Sequence, residues 1–332
     1  MKKILFIGTG GTIASELSHG ALSPSLDASQ LLCQIPEVSG YCSVDAVQPF
    51  SLDSTNITPA HWQILAAKIK EQYDRYDGFV IAHGTDTMAY TAAALSYLLQ
   101  NSEKPIILTG AQKPIGFEST DSKQNLSDSF LCACSELHGV LVVFGGQVLL
   151  GSRARKIRSK SYFAFESPNY PPIASVQNGR LVVYFNPTLG QPCFYERLEQ
   201  SVGLLKLTPA TDAALLHYML SHYKALVIEA FGVGGLPYRN GEFRREVIAA
   251  LKAGKPVVLT TQVQSEGTDL SVYEVGKDLR GFGVLEAYDM TPEAAFTKLM
   301  WILSVTDDPK EQRRLFYESV WHDILPPKEI ET

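Results

Sequence analysis

Several short, wholly apolar runs punctuate the chain: Ile4 to Ile7, Phe79 to Ala82, Ile106 to Leu108 and Val140 to Phe144. None of them alternates with polar residues, so each reads as a strand buried on both faces, the mark of a parallel sheet. Longer stretches with helical spacing lie between them. Thr58-Pro59 opens one, with Thr as N-cap and Pro at the first helical position, and Trp62, Leu65, Ala66 and Ile69 line one face. Others are expected over about 88–99 and 121–137. Gly40 to Phe50 is expected as a further strand, and residues 16–29, polar and small, as a mobile loop. Ser175 to Tyr184 reads as a hairpin closed by a type I′ Asn178-Gly179 turn.

Residues 186–200 carry Pro187, Gly190 and Pro192 and break the pattern. A second series follows. Strands are expected at 202–207, 226–231, 256–260 and 283–287, with helices opened by Thr208-Pro209, by Phe243 and by Thr291-Pro292. Alternating strands and helices predict an α/β fold, a doubly wound, mainly parallel sheet. The expected division is an N-terminal α/β domain over 1–187, a linker over 188–207 and a smaller α/β domain over 208–332. No internal repeat is visible.

The 332 residues are 45% hydrophobic and 19% charged, enough chain for two ordinary globular domains. A net charge of −6 offers no basic surface for nucleic acid. No apolar run approaches the length of a membrane span. The apolar run behind Met1-Lys-Lys is too short for a secretory signal, so a cytoplasmic location is expected. The five cysteines have neither zinc nor redox spacing and read as reduced residues, and the seven histidines form no metal motif. No metal is expected.

The chemistry gathers where strands end. Gly8, Gly10 and Gly11 let the backbone turn tightly after the first strand and leave Thr12 on a glycine hinge. A functional hydroxyl and a plain helix cap are equal readings there. Gly8 and Gly10 match the opening of a dinucleotide fingerprint, but Ile13 occupies its third place, and no cofactor is expected. Asp53-Ser54-Thr55, Thr85-Asp86 and Lys156 complete the set. In a doubly wound sheet such strand ends converge on one edge. A hydroxyl becomes a nucleophile beside a base, and a lysine can serve. Asp86 suits a substrate ammonium and Ser54 a carboxylate. Each residue taken singly also reads as a turn or cap. The basic segment 151–161 reads as a loop with one or two buried cations.

These residues also carry a resemblance. Ile7-Gly-Thr-Gly-Gly-Thr-Ile-Ala14 and Val80-Ile-Ala-His-Gly-Thr-Asp-Thr-Met88 resemble the two signatures of bacterial-type L-asparaginases. Asp53 to Pro59, Leu108 to Gln112, Arg153 to Lys156, Ser167 to Tyr170, Gly232 to Gly235 and Asp289 to Glu293 continue the likeness through nearly the whole chain. The segments around Asp53 and Arg153 are most similar to the cytoplasmic type I branch. The resemblance implies the asparaginase/glutaminase fold and a double displacement on free L-asparagine. Thr12 would attack the side-chain amide and form an ester, with Thr85, Asp86 and Lys156 as the second catalytic cluster. Asp53, Ser54, Thr55, Thr85, Asp86 and the backbone of Ala111 would bind substrate. Backbone N–H groups at Thr12 and Thr85 would hold the oxyanion, contributing about 3–4 kcal/mol each. The resemblance also implies a homo-oligomer, a dimer or dimer of dimers, working without cofactor.

The family's mobile loop carries a tyrosine that hydrogen-bonds the nucleophile. Ala21 stands at the corresponding place, and Tyr41 or a neighbouring chain is the expected substitute. Arg155 and Val263 replace a threonine and a cysteine found in allosteric type I relatives, so asparagine activation is not implied. Three rivals remain: a glutaminase, the glutaminase subunit of a tRNA-dependent amidotransferase and a non-catalytic asparagine or aspartate sensor. The first strand starts near residue 4, which counts against the amidotransferase subunit and its usual extra N-terminal domain.

Overall fold

The computed structural model describes residues 1–18 and 21–326. They form two compact units, Met1–Glu196 and Arg197–Thr332. In the first, an eight-stranded sheet runs in the order Arg180–Val183, Ala174–Gln177, Gln147–Leu150, Gly139–Phe144, Pro105–Thr109, Gly78–Ala82, Lys2–Gly8, Cys42–Val47. The last five of these are mutually parallel. The other three form an antiparallel extension. Four of the parallel strands are buried almost throughout, which is why they lack alternation; Cys42–Val47, at the edge, keeps partly exposed residues.

In chain order the parallel strands stand 2-1-3-4-5. The direction of winding reverses between Lys2–Gly8 and Gly78–Ala82. That reversal opens a crevice at the carboxyl ends of the two strands. The register places Gly8 beside Ala82 and Ala82 beside Thr109, so the loops after all three strands leave the same edge.

The helix Pro59–Gln72 starts as the sequence suggests. Thr58 is its N-cap and donates its backbone N–H to His61 Nδ1 at 3.0 Å, and Trp62, Leu65, Ala66 and Ile69 are buried. At the hairpin tip Asn178 and Gly179 take φ of 51° and 69°, as a type I′ turn requires.

Elsewhere the structure departs from expectation. Residues 16–29 are not one irregular loop. Ser15–Ser18 pairs antiparallel with Ala21–Pro24, and Asp27 then caps a short helix, Ala28–Leu32. Its carboxylate accepts the Gln30 N–H at 2.8 Å, and Gln30 Oε1 accepts the Asp27 N–H at 2.8 Å, a reciprocal cap not read from the sequence. The side chain of Ala21, the place of the family tyrosine, lies outside what is described. Tyr41 precedes the strand whose first residue, Cys42, pairs with Lys2, and its hydroxyl donates to the Ser127 carbonyl at 3.4 Å. It therefore lies at the amino edge of the sheet, opposite the Thr12 loop, and is no substitute for the missing tyrosine.

The second unit has a four-stranded parallel sheet in the order Val202–Lys206, Ala225–Ala230, Val257–Thr261, Leu285–Glu286. Its core gathers Leu216, Leu226, Ile228, Phe243, Val247 and Leu259. The span expected as a linker divides. Residues through Glu196 belong to the first unit, and the Val202–Lys206 strand belongs to the second unit's sheet. Thr208-Pro209 does not open a helix. Thr208 and Thr211 close a turn on each other, and the helix Ala213–His222 begins after Asp212, whose carboxylate accepts the Leu215 N–H at 2.9 Å. The helices Glu274–Gly281 and Pro309–Tyr317 have no counterpart among the expected elements. Among the described residues no helix is long and apolar enough to cross a membrane.

Candidate active site

Three loops meet at the winding reversal with glycine between them. Gly10 and Gly11 take φ of 94° and 77°, the left-handed region. The Gly11 N–H donates to the Leu52 carbonyl at 2.9 Å, and the Leu52 N–H donates to the Thr9 carbonyl at 2.9 Å. A Cβ at Gly11 would lie 2.4 Å from the Cα of Gly84, and one at Gly84 would lie 2.6 Å from the Cβ and Oγ of Ser54. No side chain fits between Gly11 and Gly84, so there backbone packs on backbone, and the Ser54 side chain closes against Gly84. The residues after these two glycines are Thr12 and Thr85.

Thr12 is half-buried, and among the described residues its hydroxyl has no hydrogen-bond partner. Thr85 is buried, 5% exposed, and its hydroxyl is hydrogen-bonded. Lys156 Nζ donates to Thr85 Oγ1 at 2.7 Å and to an Asp86 carboxylate oxygen at 2.6 Å. The lysine side chain is 17% exposed and that of Asp86 59%, so the cation sits inside and its counter-ion faces outward. A short two-stranded ribbon delivers the lysine, with Lys156 opposite Phe165. Thr85, Asp86 and Lys156 are thus one cluster, beside a loop that holds an unengaged hydroxyl. Arg153, near Lys156 in the basic segment, is 1% exposed, in line with the expected buried cations.

The Asp53 segment divides by exposure. Ser54 is buried against Gly84, and its carbonyl accepts the Thr87 hydroxyl at 2.8 Å. Asp53 and Thr55 are exposed. Asp53 Oδ1 accepts the Thr55 N–H at 2.8 Å and the Thr55 hydroxyl at 2.7 Å, holding the short turn closed. Ala111 is fully buried, with both flanking peptides held by the helix Ser122–Ala133 and its cap. Asn125 Nδ2 donates to the Gly110 carbonyl at 3.0 Å, and the Asp121 carboxylate accepts the Gln112 and Lys113 N–H groups at 3.0–3.1 Å.

Sequence reading passes over several supporting residues. His83 is completely enclosed, and burial lowers its pKa from 6.5 to about 4. The neutral ring donates from Nδ1 to the Gly84 carbonyl at 2.7 Å. Nε2 then accepts from the Thr91 hydroxyl at 2.9 Å, and Thr91 accepts from Trp62 Nε1 at 2.9 Å. This chain pins the Thr85 loop from behind. Asp121, Asn125 and Gln112 do the same for the Ala111 loop. His83 and Gln112 lie inside the motifs that carry the resemblance, but nothing local to those motifs separates a bracing residue from a reacting one.

Comparison with known proteins fits this geometry. The family description "Asparaginase, N-terminal" matches residues 3–189, and "Glutaminase/Asparaginase C-terminal domain" matches residues 201–316. The chain belongs to the asparaginase family. It is 38% identical to the L-asparaginase of Thermococcus kodakarensis over 97% of this chain and 99% of that one. It is 34% identical to a glutamyl-tRNA(Gln) amidotransferase subunit of Pyrococcus furiosus, over 97% of this chain and 77% of that one. Among solved structures, the thermostable L-asparaginase from Thermococcus kodakarensis superimposes with a TM-score of 0.91 at 36% identity, covering 98% of this chain and 100% of that one. The L-asparaginase I from Vibrio cholerae gives 0.87 at 31% identity, covering 98% and 99%.

Proposed function

We infer that the protein is an L-asparaginase that hydrolyses free L-asparagine to L-aspartate and ammonia through a threonine ester. The observation that carries this reading is the Lys156 ammonium on Thr85 and Asp86, in a loop whose Gly84 packs against Gly11 of the Thr12 loop. In the reaction Thr12 Oγ bonds to the side-chain amide carbon, the C–N bond breaks, and the amide nitrogen leaves as ammonia with the hydroxyl proton. Water then attacks the ester carbon, and the ester oxygen returns to Thr12 as a hydroxyl. Lys156 places a positive charge on Thr85 through a charge-assisted hydrogen bond, which lowers the cost of negative charge developing there. The outward oxygen of Asp86 receives the substrate ammonium. Ser54 and Thr55, with Asp53, receive the α-carboxylate and amino end, and the Ala111 backbone receives the amide. A cytoplasmic location and a homo-oligomer, dimer or dimer of dimers, belong to the same reading.

The likeness to a component of an amidotransferase favours one rival, a site that prefers glutamine. One methylene is worth only about 1–3 kcal/mol in a pocket, so substrate preference needs direct measurement. The test is ammonia release from asparagine and glutamine in parallel, for wild type and Thr12→Ala. The expected result is turnover of asparagine by the wild type and a loss of at least ~10³-fold in the variant with an unchanged melting temperature. Faster release from glutamine would transfer the assignment to the rival. Ligand binding without release from either amide would leave a sensor.

A further inference from the structure

Gln112 follows Ala111, has no role assigned above, and its side chain touches Thr85. Its side-chain amide can be oriented in only one way. Nε2 lies 3.2 Å from the Ser161 carbonyl and 3.4 Å from the Arg158 carbonyl, both pure acceptors. The NH2 end must face them, and Oε1 then lies 3.2 Å from Thr85 Oγ1. The backbone is held too, since the Asp121 carboxylate grips the Gln112 N–H. The residue is therefore fixed at its backbone, at its amino end and at its carbonyl end.

This decides which way the Thr85 hydroxyl turns. A threonine hydroxyl has one proton and two lone pairs. The Lys156 ammonium has only protons to give, so at 2.7 Å it occupies one lone pair. The Gln112 carbonyl has only lone pairs, so it takes the proton. One lone pair is left. We propose that Gln112 is a positioning residue that locks the Thr85 hydroxyl with an acceptor lone pair, not a proton, toward the reacting groups. A Thr85 so held accepts a hydrogen bond from the attacking hydroxyl or water and orients it. Without Gln112 the rotor is free to turn its proton into that space and compete for the attacking oxygen's own lone pair.

The inference rests on the asparaginase reading, and two variants separate it from a simple structural role. Gln112→Met keeps the length of the side chain and removes the acceptor. Gln112→Glu keeps an acceptor for Thr85 but loses both bonds to the 158–161 segment. Steady-state kinetics with asparagine and the pH profile of kcat are measured for both, with melting temperatures alongside. Gln112→Met is expected to lower kcat about 10- to 100-fold with KM within about threefold. Gln112→Glu is expected to recover most of that loss, with the rising limb of kcat moved to higher pH because a carboxylate stabilises protonated neighbours. Unchanged kcat in Gln112→Met overturns the proposal. So does equal damage in both variants, which would assign the side chain to holding the 158–161 segment. A wild type that releases no ammonia sinks the asparaginase reading and this inference with it, whereas an active wild type with an indifferent Gln112→Met sinks the inference alone.

Discussion

The imidazole of His83 and the carboxyl of Asp128 are both enclosed, at 0% and 3% exposure, and burial moves them in opposite senses. His83 falls from 6.5 to about 4, so its contribution to stability is complete above pH 6.5 and is lost as pH falls through 4, on the order of 3 kcal/mol. Asp128 is raised by desolvation from 3.8 to about 6, with only the Gln124 amide, 2.7 Å from Oδ1, acting against it. Its contribution is complete below pH 3.8 and is lost as pH rises through 6. The two slopes largely offset one another between pH 4 and 6.5. Asp128→Asn removes one of them. The variant is expected to melt above the wild type at pH 7.5, the gap to shrink as pH falls, and to vanish near pH 4; scanning calorimetry across that range checks it. A gap that grew on acidification would contradict the sign. Neither shift is legible in the sequence, because enclosure is set by helices and strands far from each residue in the chain.

At the level of elements, legibility followed the chemistry of each signal. Thr58-Pro59, Thr291-Pro292 and Asn178-Gly179 carry their instruction within a few residues, and each forms the expected start or turn. Thr208-Pro209 carries the same letters, yet the hydroxyl of Thr211 captures the Thr208 N–H at 2.8 Å and closes a turn instead. The helix Pro292–Val305 hides another exception. Lys298 lies within an otherwise apolar stretch, and its ammonium is 2.7 Å from Asp323 with both side chains fully buried. Removing one partner of such a pair leaves a buried unpaired charge and costs about 3–5 kcal/mol. Lys298→Met is expected to lose that much in urea unfolding, and Lys298→Met with Asp323→Asn, which removes the charge but keeps the oxygen that accepts the Val320 N–H at 2.8 Å, to regain most of it. A double variant no better than the single one would show that the cost is packing rather than charge.

Across the whole molecule, the strand alternation announced an α/β fold, but neither the sheet order nor its winding reversal is a local property. Thr12, Ser54, Thr85, Gln112 and Lys156 span much of the first unit's chain and meet because of that order. Their places at strand ends, and then the likeness to a family, grouped most of them beforehand, and Gln112 escaped both. The division between the units, after Glu196, falls inside the span 188–207 expected as a linker. Proline and glycine mark where regular structure stops, and the strand expected at 202–207 takes its place in the second unit's sheet beside Ala225–Ala230. All five cysteines are free thiols. Protein denatured without reductant and alkylated is expected to gain five adducts by mass spectrometry, and its melting temperature to be indifferent to reductant.

The glycine contacts at the crevice also limit how the enzyme can be re-engineered. The faces that Gly11 and Gly84 turn toward each other and toward Ser54 have no spare volume, so libraries aimed at altered amide scope gain nothing by randomising them. The adjustable positions are those on the exposed surface of the 158–161 segment, where a new side chain meets solvent before it meets backbone. Broadening the substrate range is therefore a matter of redecorating the entrance while the hinge between the threonine loops keeps its bare backbone.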